Sequence, residues 1–351
     1  MDEPKSLGRY QIQGVLGKGA MGLVYDGLDP GLNRRVAIKT ILTRKLDAET
    51  ARMIAVRFER EVRAVARLNH RNIVQVYDFG TEGDLAYIVM EYIQGKELKD
   101  YFDANEHYDL KTIFRLMMEL LDALDFAHEA GVIHRDIKPA NVMVDAAGHA
   151  KLTDFGVARV TENEGEQAEA TKVGTIVGTP SYMSPEQIQG QKLDRRTDIF
   201  SAGIVFYQFL TGKKPFEGTQ WELAKKIIME DPVWPSQIVQ VSPAIDVIVQ
   251  RALAKEPDHR YKTARKFYEA MKRVLEGKPP EDPDEVLAPP PPAAAPAPPS
   301  APSTQGSEAE TEFWNEVKDS DDPEDLKLYL EQFPHGVFVA EAQRKIAALG
   351  G

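Results

Sequence analysis

His134-Arg135-Asp136-Ile137-Lys138-Pro139-Ala140-Asn141, followed further on by Asp154-Phe155-Gly156, is the stretch of this 351-residue chain that decides its reading. Two carboxylates, an amide and an ammonium crowd into a short span flanked by apolar runs that must be buried. Charge held against a core is costly unless it is paired or binds something. Val142-Met143-Val144 and Lys151-Leu152-Thr153 read as short strands, with Gly148 in the turn between them. An antiparallel hairpin centred there pairs residues whose numbers sum to about 295. That register sets Asn141 opposite Asp154.

Two oxygen donors then converge. Magnesium favours oxygen and is usually held by one or two side chains completed by waters and substrate phosphates, so Asn141 and Asp154 are the candidate metal ligands. Asp136 lies close enough to Asn141 in sequence to orient an attacking hydroxyl, and Lys138 can offset charge on a transferring phosphoryl group. A second glycine-marked stretch points the same way. Gly17-Lys18-Gly19-Ala20-Met21-Gly22-Leu23-Val24 sits between apolar runs at 12–16 and 23–25, and glycines at that spacing let a hairpin backbone come close to phosphates. A dinucleotide-binding turn has the same spelling but needs a helix after it. The next apolar segment is instead a strand, Val36-Ala37-Ile38-Lys39. The spacing predicts a helix over 48–68 with Phe58, Glu61, Val65 and Leu68 on one face. Glu61 within an apolar stripe needs a partner, and Lys39, ending an apolar strand, needs one too. Their pairing would hold Lys39 towards a nucleotide, and a helix able to shift would make the pair an on/off contact.

Composition narrows the class. The chain has no cysteine, which excludes disulfides and thiolate metal sites and fits a reducing compartment. Its N-terminus is acidic and lacks the apolar core of a signal peptide, and its densest apolar stretch, 199–210, is too short to span a bilayer. A cytoplasmic location without a membrane span is expected. The formal charge is −12; of 55 acidic and 43 basic residues, 15 and 4 lie from Pro279 onward, leaving about −1 for 1–278. No basic face marks a nucleic-acid partner.

The order of motifs, from the glycine hairpin through Lys39, Glu61, the 134–141 loop and Asp154-Phe155-Gly156 to Gly178-Thr179-Pro180-Ser181-Tyr182-Met183-Ser184-Pro185-Glu186, resembles the eukaryotic-like serine/threonine protein kinases of bacteria. The resemblance covers 10–275 and implies an α+β, two-lobed fold, with a small β-rich lobe over about 10–92 and a larger helical lobe over about 96–275. It implies transfer of the γ-phosphoryl of ATP to protein Ser or Thr hydroxyls, with Mg2+, for which Mn2+ could substitute. Asp136, Lys138, Lys39 and Glu61 become the catalytic set. Leu16, Gly17, Lys18, Gly19, Ala20, Met21, Gly22, Leu23, Val24, Ala37, Lys39, Met90, Glu91, Ile93 and Met143 become the ATP site, with Met90 at the back of the adenine pocket and the backbone of Glu91 and Ile93 on the base. The resemblance also gives Thr179, Glu186, Asp198 and Arg260 scaffold roles. Lys138 and Thr179 are the types associated with Ser/Thr acceptors. Ser184 stands where the family more often has Ala, and little effect is expected from it. Arg135 could pair with a phosphate on the polar stretch 161–178, where Thr171 and Thr175 are candidates for activating autophosphorylation; a transient dimer would allow it in trans.

Beyond the catalytic part, 279–307 is rich in Pro and Ala and reads as a semi-rigid linker of reach up to about 90 Å. Residues 308–351 carry aromatic and aliphatic residues at helical spacing and read as a small acidic helical module, either packing loosely on itself or docking on a basic protein partner. Disorder is the alternative there. Two rivals to the kinase reading remain. A scaffold or pseudokinase acting through its C-terminal module predicts loss of Lys39, Asp136 or Asp154, and a small-molecule phosphotransferase would lack the 178–186 segment.

Overall fold

Alternation of apolar residues at period two shapes the N-terminal lobe. The computed structural model describes residues 4–19, 22–42, 48–83, 85–155 and 180–280, together with Trp314, Lys318, Tyr329, Leu330, Phe333 and 337–348. Strands β1 (Ser6–Leu7), β2 (Tyr10–Gly19), β3 (Gly22–Asp29), β4 (Arg34–Leu42), β5 (Val76–Glu82) and β6 (Leu85–Glu91) form an antiparallel sheet in the order β1-β2-β3-β4-β6-β5. Helix α1 (Ala48–Ala66) lies between β4 and β5 in sequence. Val36 and Ile38 of β4 pack with Tyr10, Tyr25, Tyr87 and Val89 on one face. Ala37 and Ile41 join Ile88 and Met90 in the main core on the other. Successive strand side chains point to opposite faces, so Lys39 falls on the same face as Ala37 and Ile41. Its register partners are Val24 and Ile88.

The larger lobe begins with a three-stranded sheet, β7 (Gly95–Glu97), β8 (Val142–Asp145) and β9 (Ala150–Leu152), ordered β7-β8-β9. Around it lie α2 (Leu98–Asp103), α3 (Leu110–Glu129), α4 (Pro185–Ile188), α5 (Arg196–Thr211), α6 (Gln220–Met229), α7 (Pro243–Ala252) and α8 (Ala264–Leu275). Helix α5 is buried continuously from Thr197 to Phe209, as a segment apolar on nearly all sides predicts. Gly203 lets it approach α7: a Cβ there would stand 2.9 Å from that of Ala252. Ser242 and Thr263 cap α7 and α8 by accepting from the amides of Ala244 and Lys266. Gly277, at φ +72°, ends α8. Helices α2, α3 and α6 and strand β7 have no counterpart among the sequence-based expectations, although α3 carries a clear signal. Asp109 caps it, and Ile113, Leu116, Met117, Leu120, Leu124 and Ala127 recur on its buried face.

The lobes share one core, and backbone bonds join them behind the site. Asn72 is buried between the lobes: its side chain donates to Ala150 O at 2.7 Å and its carbonyl accepts from Leu152 N at 2.8 Å. Within the large lobe, Glu186 and Arg260 form a buried two-pronged ion pair, Nη1 to Oε1 at 2.7 Å and Nη2 to Oε2 at 2.8 Å. Thr197 Oγ1 also donates to Glu186 Oε1, and Arg260 donates to the carbonyls of Ala254, Lys255 and Arg196. Every polar group in this knot has a partner, which is the condition for burying charge.

The chain divides into two units, Met1–Val286 and Leu287–Gly351. In the second, Trp314, Tyr329 and Ala342 are buried against one another, with Trp314 stacked on Phe338 at 5.2 Å, and helix α9 (Val339–Ala348) supplies Ala342. Within the module expected over 308–351, the described residues form this aromatic cluster. The linker expected over 279–307 lies outside them apart from Pro279 and Pro280. No helix among the described residues is long and apolar enough to cross a membrane.

Arg260→Ala strands a buried carboxylate and is expected to lower unfolding free energy by about 3–5 kcal/mol, measurable by urea denaturation. Burial pushes the Glu186 carboxyl up, but hydrogen bonding and charge from Arg260 pull it further down, to a net value below its ordinary 4.5. The unfolded chain therefore takes up this proton at a higher pH than the folded one. The pair's stabilisation is complete above about pH 4.5 and is lost as the pH falls through the folded value. Urea midpoints of the wild type should fall across that acid range, and those of Glu186→Gln should fall less steeply.

Candidate active site

The 134–141 loop is held by one carboxylate beneath it. Asp198, fully buried in the first turn of α5, accepts from the amides of His134 at 2.8 Å and Arg135 at 2.7 Å, and from His128 Nε2 at 2.8 Å. Burial alone would raise the Asp198 carboxyl; hydrogen bonding from His128 and the loop amide overcomes it, and the group is held below the ordinary aspartate range. The Asp198 carboxylate thus fixes two consecutive amides. Arg135, which carries the second of them, takes φ +64°, a conformation rare outside glycine, and the bonds to Asp198 on its own amide and to Gln187 Nε2 on its carbonyl hold it there. Its guanidinium is exposed.

His134 is buried, and burial lowers its pKa. It is neutral, with Nε2 donating to Thr153 O at 2.9 Å and Nδ1 accepting from the Asp136 amide at 3.3 Å. Phe155 packs on its ring. Together these contacts aim Asp136 outward. Asp136 Oδ2 accepts from Lys138 Nζ at 2.7 Å and from Asn141 Nδ2 at 2.9 Å. Both bonds land on one oxygen, and no described residue donates to the other. Asn141 Nδ2 also donates to Asp136 O, so its own side-chain oxygen remains an acceptor. The loop ends in a turn, Pro139–Asn141, that leads directly into β8.

The hairpin register differs by one from the expectation. Val142 pairs with Leu152 and Val144 with Ala150, and Thr153 N donates to Asn141 O at 2.9 Å, so Asn141 faces Thr153 and Asp154 lies one residue beyond. Asp154 turns back with φ +60° and its Oδ1 meets Lys39 Nζ at 2.8 Å. The anticipated Lys39–Glu61 pair is not formed among the described residues. The physical reason lies in α1. Its buried stripe is Phe58, Val62 and Val65, continued by Leu68 just past its end; Glu61 stands one residue before Val62, about 100° round the helix, at the half-buried edge.

Nucleotide-site candidates occupy one region. Val24, Ala37, Met90, Ile93 and Met143 all pack in or against the main core. Glycines 17, 19 and 22 lie in the β2–β3 hairpin, where Lys18 pairs with Leu23 and Gly19 with Gly22, while Leu16 is exposed. A Cβ on Gly22 would overlap Thr40 O at 1.9 Å, so only glycine lets β3 lie so close to β4. The amide of Glu91 is committed to Gln75 O at 2.9 Å and its carboxylate to Lys151 at 2.8 Å. Ala20, Met21, Gly156, Thr171, Thr175 and Thr179 lie outside the described residues. Among those described, no cluster of three His, Cys, Asp or Glu side chains is placed to hold a metal. The donor set of Asn141 and Asp154 instead fits an ion completed by phosphates and water.

Four contributors were missed. His128, at the buried end of α3, meets Asp198 from 70 residues away, and no sequence pattern announces such a partner. Gln187 reaches Arg135 O at 2.8 Å. Ser184, from which little effect was expected, is fully buried and caps α4 in a reciprocal box with Gln187; the Ser-x-x-Gln spacing was the available signal. Glu97, half-buried before α2, is pushed up by burial and then by the Asp100 and Asp154 carboxylates, with Lys99 and then Lys138 opposing.

A glycine hairpin over a lysine strand, a helix beside it, and a carboxylate loop with an Asp-Phe beyond it on a helical lobe define a phosphotransferase architecture, and the chain belongs to the protein kinase domain family, whose model matches residues 10–273. It is 39% identical over 281 residues to the serine/threonine-protein kinase PknB of Mycobacterium tuberculosis, covering 78% of this chain and 44% of that protein. Similar relatives are PknB of Mycolicibacterium smegmatis, 39% identical over 290 residues (81% of this chain, 46% of the relative), and PknB of Mycobacterium leprae, 38% over 281 residues (78% and 44%). The chain spans less than half the length of these curated relatives.

Ser184→Ala removes a buried cap and is expected to cost about 1 kcal/mol of stability, read from thermal or urea unfolding; an unchanged midpoint would show that the cap carries no weight.

Proposed function

We propose that this chain transfers the γ-phosphoryl group of ATP to serine and threonine hydroxyls of proteins. The observation that carries this is the state of Asp136: one carboxylate oxygen is occupied by Lys138 and Asn141, the other is open, and the loop bearing it is fixed through Asp198. The open oxygen orients the acceptor hydroxyl and takes its proton late, as the hydroxyl oxygen bonds to the γ-phosphorus and the bond to the β–γ bridging oxygen breaks, releasing ADP. Lys138 stands where it offsets charge on the group in transit. Lys39 serves the phosphates from the inner face of β4, and the glycine hairpin covers them.

Asn141 and Asp154 would hold magnesium, which supplies neutralisation of phosphate charge when bound. Val24, Ala37 and Met143 offer apolar faces to the adenine, with Met90 behind it. Because the Glu91 amide is already bonded, the carbonyl of Glu91 and the backbone of Ile93 are the groups left to meet the base. The Lys39–Asp154 contact is one arrangement of a two-position lysine. Its exchange for Glu61 would accompany a movement of α1 and an active arrangement.

The pseudokinase reading loses its ground, since Lys39, Asp136, Asn141 and Asp154 are all present and hydrogen-bonded or ion-paired within one constellation. Autophosphorylation at Thr171 or Thr175 is the proposed switch, with the exposed Arg135 guanidinium as the phosphate's partner. A cytoplasmic setting and a protein partner for the C-terminal module complete the reading.

Asp136→Asn should lower turnover by about 10²–10⁴-fold with unchanged urea unfolding, in an assay of labelled phosphate transfer from MgATP to a generic protein substrate. Undiminished turnover would overturn the role of Asp136. Mass spectrometry after incubation with ATP should find phosphate between residues 157 and 183 in the wild type and none in Asp136→Asn; its absence from both would remove the switch.

A further inference from the structure

We infer that Lys151 is a positioning residue for the nucleotide base: paired with Glu91, it fixes the end of β6 from which the connection between the lobes, 92–94, sets out. Lys151 Nζ donates to Glu91 Oε1 at 2.8 Å, and the two side chains are 17% and 27% exposed. Among the described residues neither forms another ion pair. Strands β8 and β9 bury Val142, Val144, Ala150 and Leu152 in the core. Met143 and Lys151, direct partners across the pair, therefore lie together on the opposite face. Met143 is the apolar residue offered to the adenine, so Lys151 stands beside the candidate base site.

The separation that this ion pair spans is set by the backbone on both sides. Asn72 O accepts from Leu152 N at 2.8 Å, and Leu152 O accepts from Val74 N at 2.9 Å. One residue on, Gln75 O accepts from Glu91 N at 2.9 Å and Gln75 N donates to Glu91 Oε2 at 3.3 Å. The run 72–75 thus holds β9 through one set of bonds and the end of β6 through another. Thr153 Oγ1, 4.0 Å from Met90 Sδ, adds a contact beside them. A pair whose ends are placed in advance loses little side-chain freedom on forming, unlike a loose surface pair. Without Lys151 the Glu91 carboxylate keeps only the longer bond from the Gln75 amide and turns towards water. The peptide beyond Glu91 then loses its fixed aim at the base. Groups offered to the phosphates, Lys39 and the glycine hairpin, lie on β2, β3 and β4 and take no part in the contact.

This role rests on the nucleotide reading above, and its test separates the two. Calorimetric titration of the full chain measures affinity for MgATP, for adenosine and for magnesium tripolyphosphate. Lys151→Met is expected to weaken MgATP and adenosine alike by about three- to fivefold and to leave tripolyphosphate unchanged. In the transfer assay the loss should fall on KM for ATP rather than on kcat. Lys151→Arg should restore the affinity for both adenine ligands, and Glu91→Gln added to Lys151→Met should cost nothing further. A purely structural role would weaken all three ligands together. That result, or an adenosine affinity unmoved or raised in Lys151→Met, overturns the role of Lys151 while leaving the transfer chemistry standing. A wild type that binds neither MgATP nor adenosine overturns both.

Discussion

A single buried carboxylate sets the geometry on which the rest depends. Asp198 binds the amides of His134 and Arg135 from below and takes His128 as a third donor. An ionised group at that depth is tolerable only because three donors replace its water. The bonds also force Arg135 into a left-handed backbone, which turns the chain so that Asp136 projects outward while His134 stays inside. Strain at a catalytic loop persists when its surroundings over-determine it. The surroundings here are α5, buried almost throughout, and the Glu186–Arg260 knot, to which Thr197, the residue immediately before Asp198, donates.

From that anchor the chemistry is passed along by short contacts. Neutral His134 links the Asp136 amide to Thr153 O; Thr153 N in turn bonds Asn141 O. Asp136, Asn141 and the approach to Asp154 are thus positioned as one unit, all within the large lobe. Lys39 comes from the other lobe and reaches Asp154 across the cleft. The small lobe's contribution to this constellation is therefore the lysine. Its partner in the structure is Asp154, while α1 presents Glu61 at its half-buried edge rather than within its buried stripe.

Much of this was legible residue by residue. The glycine hairpin, the lysine strand, the 134–141 loop, the capped helices α7 and α8 and the buried α5 all follow from local rules: period two, period three to four, a serine or threonine before an apolar run. What local rules miss is instructive. The hairpin register was off by one because the sum rule has no information on where the turn bonds close; Asp145, which takes the amides of Ala147 and His149, fixes it. Glu61 was placed on the stripe because spacings of three and four admit either Glu61 or Val62, and only packing against β5 decides between them. His128 and Gln187 act through partners 70 and 52 residues away.

The amino-acid sequence by itself determined the class of fold and the lobe to which each candidate group belongs, since these depend on residue type and short-range periodicity. Tertiary structure alone decided which carboxylate holds Lys39, which oxygen of Asp136 is left open, and why Ser184 and His128 matter. Those outcomes depend on distances between elements far apart in the chain, and such distances are set by how whole faces pack rather than by any local pattern of residues.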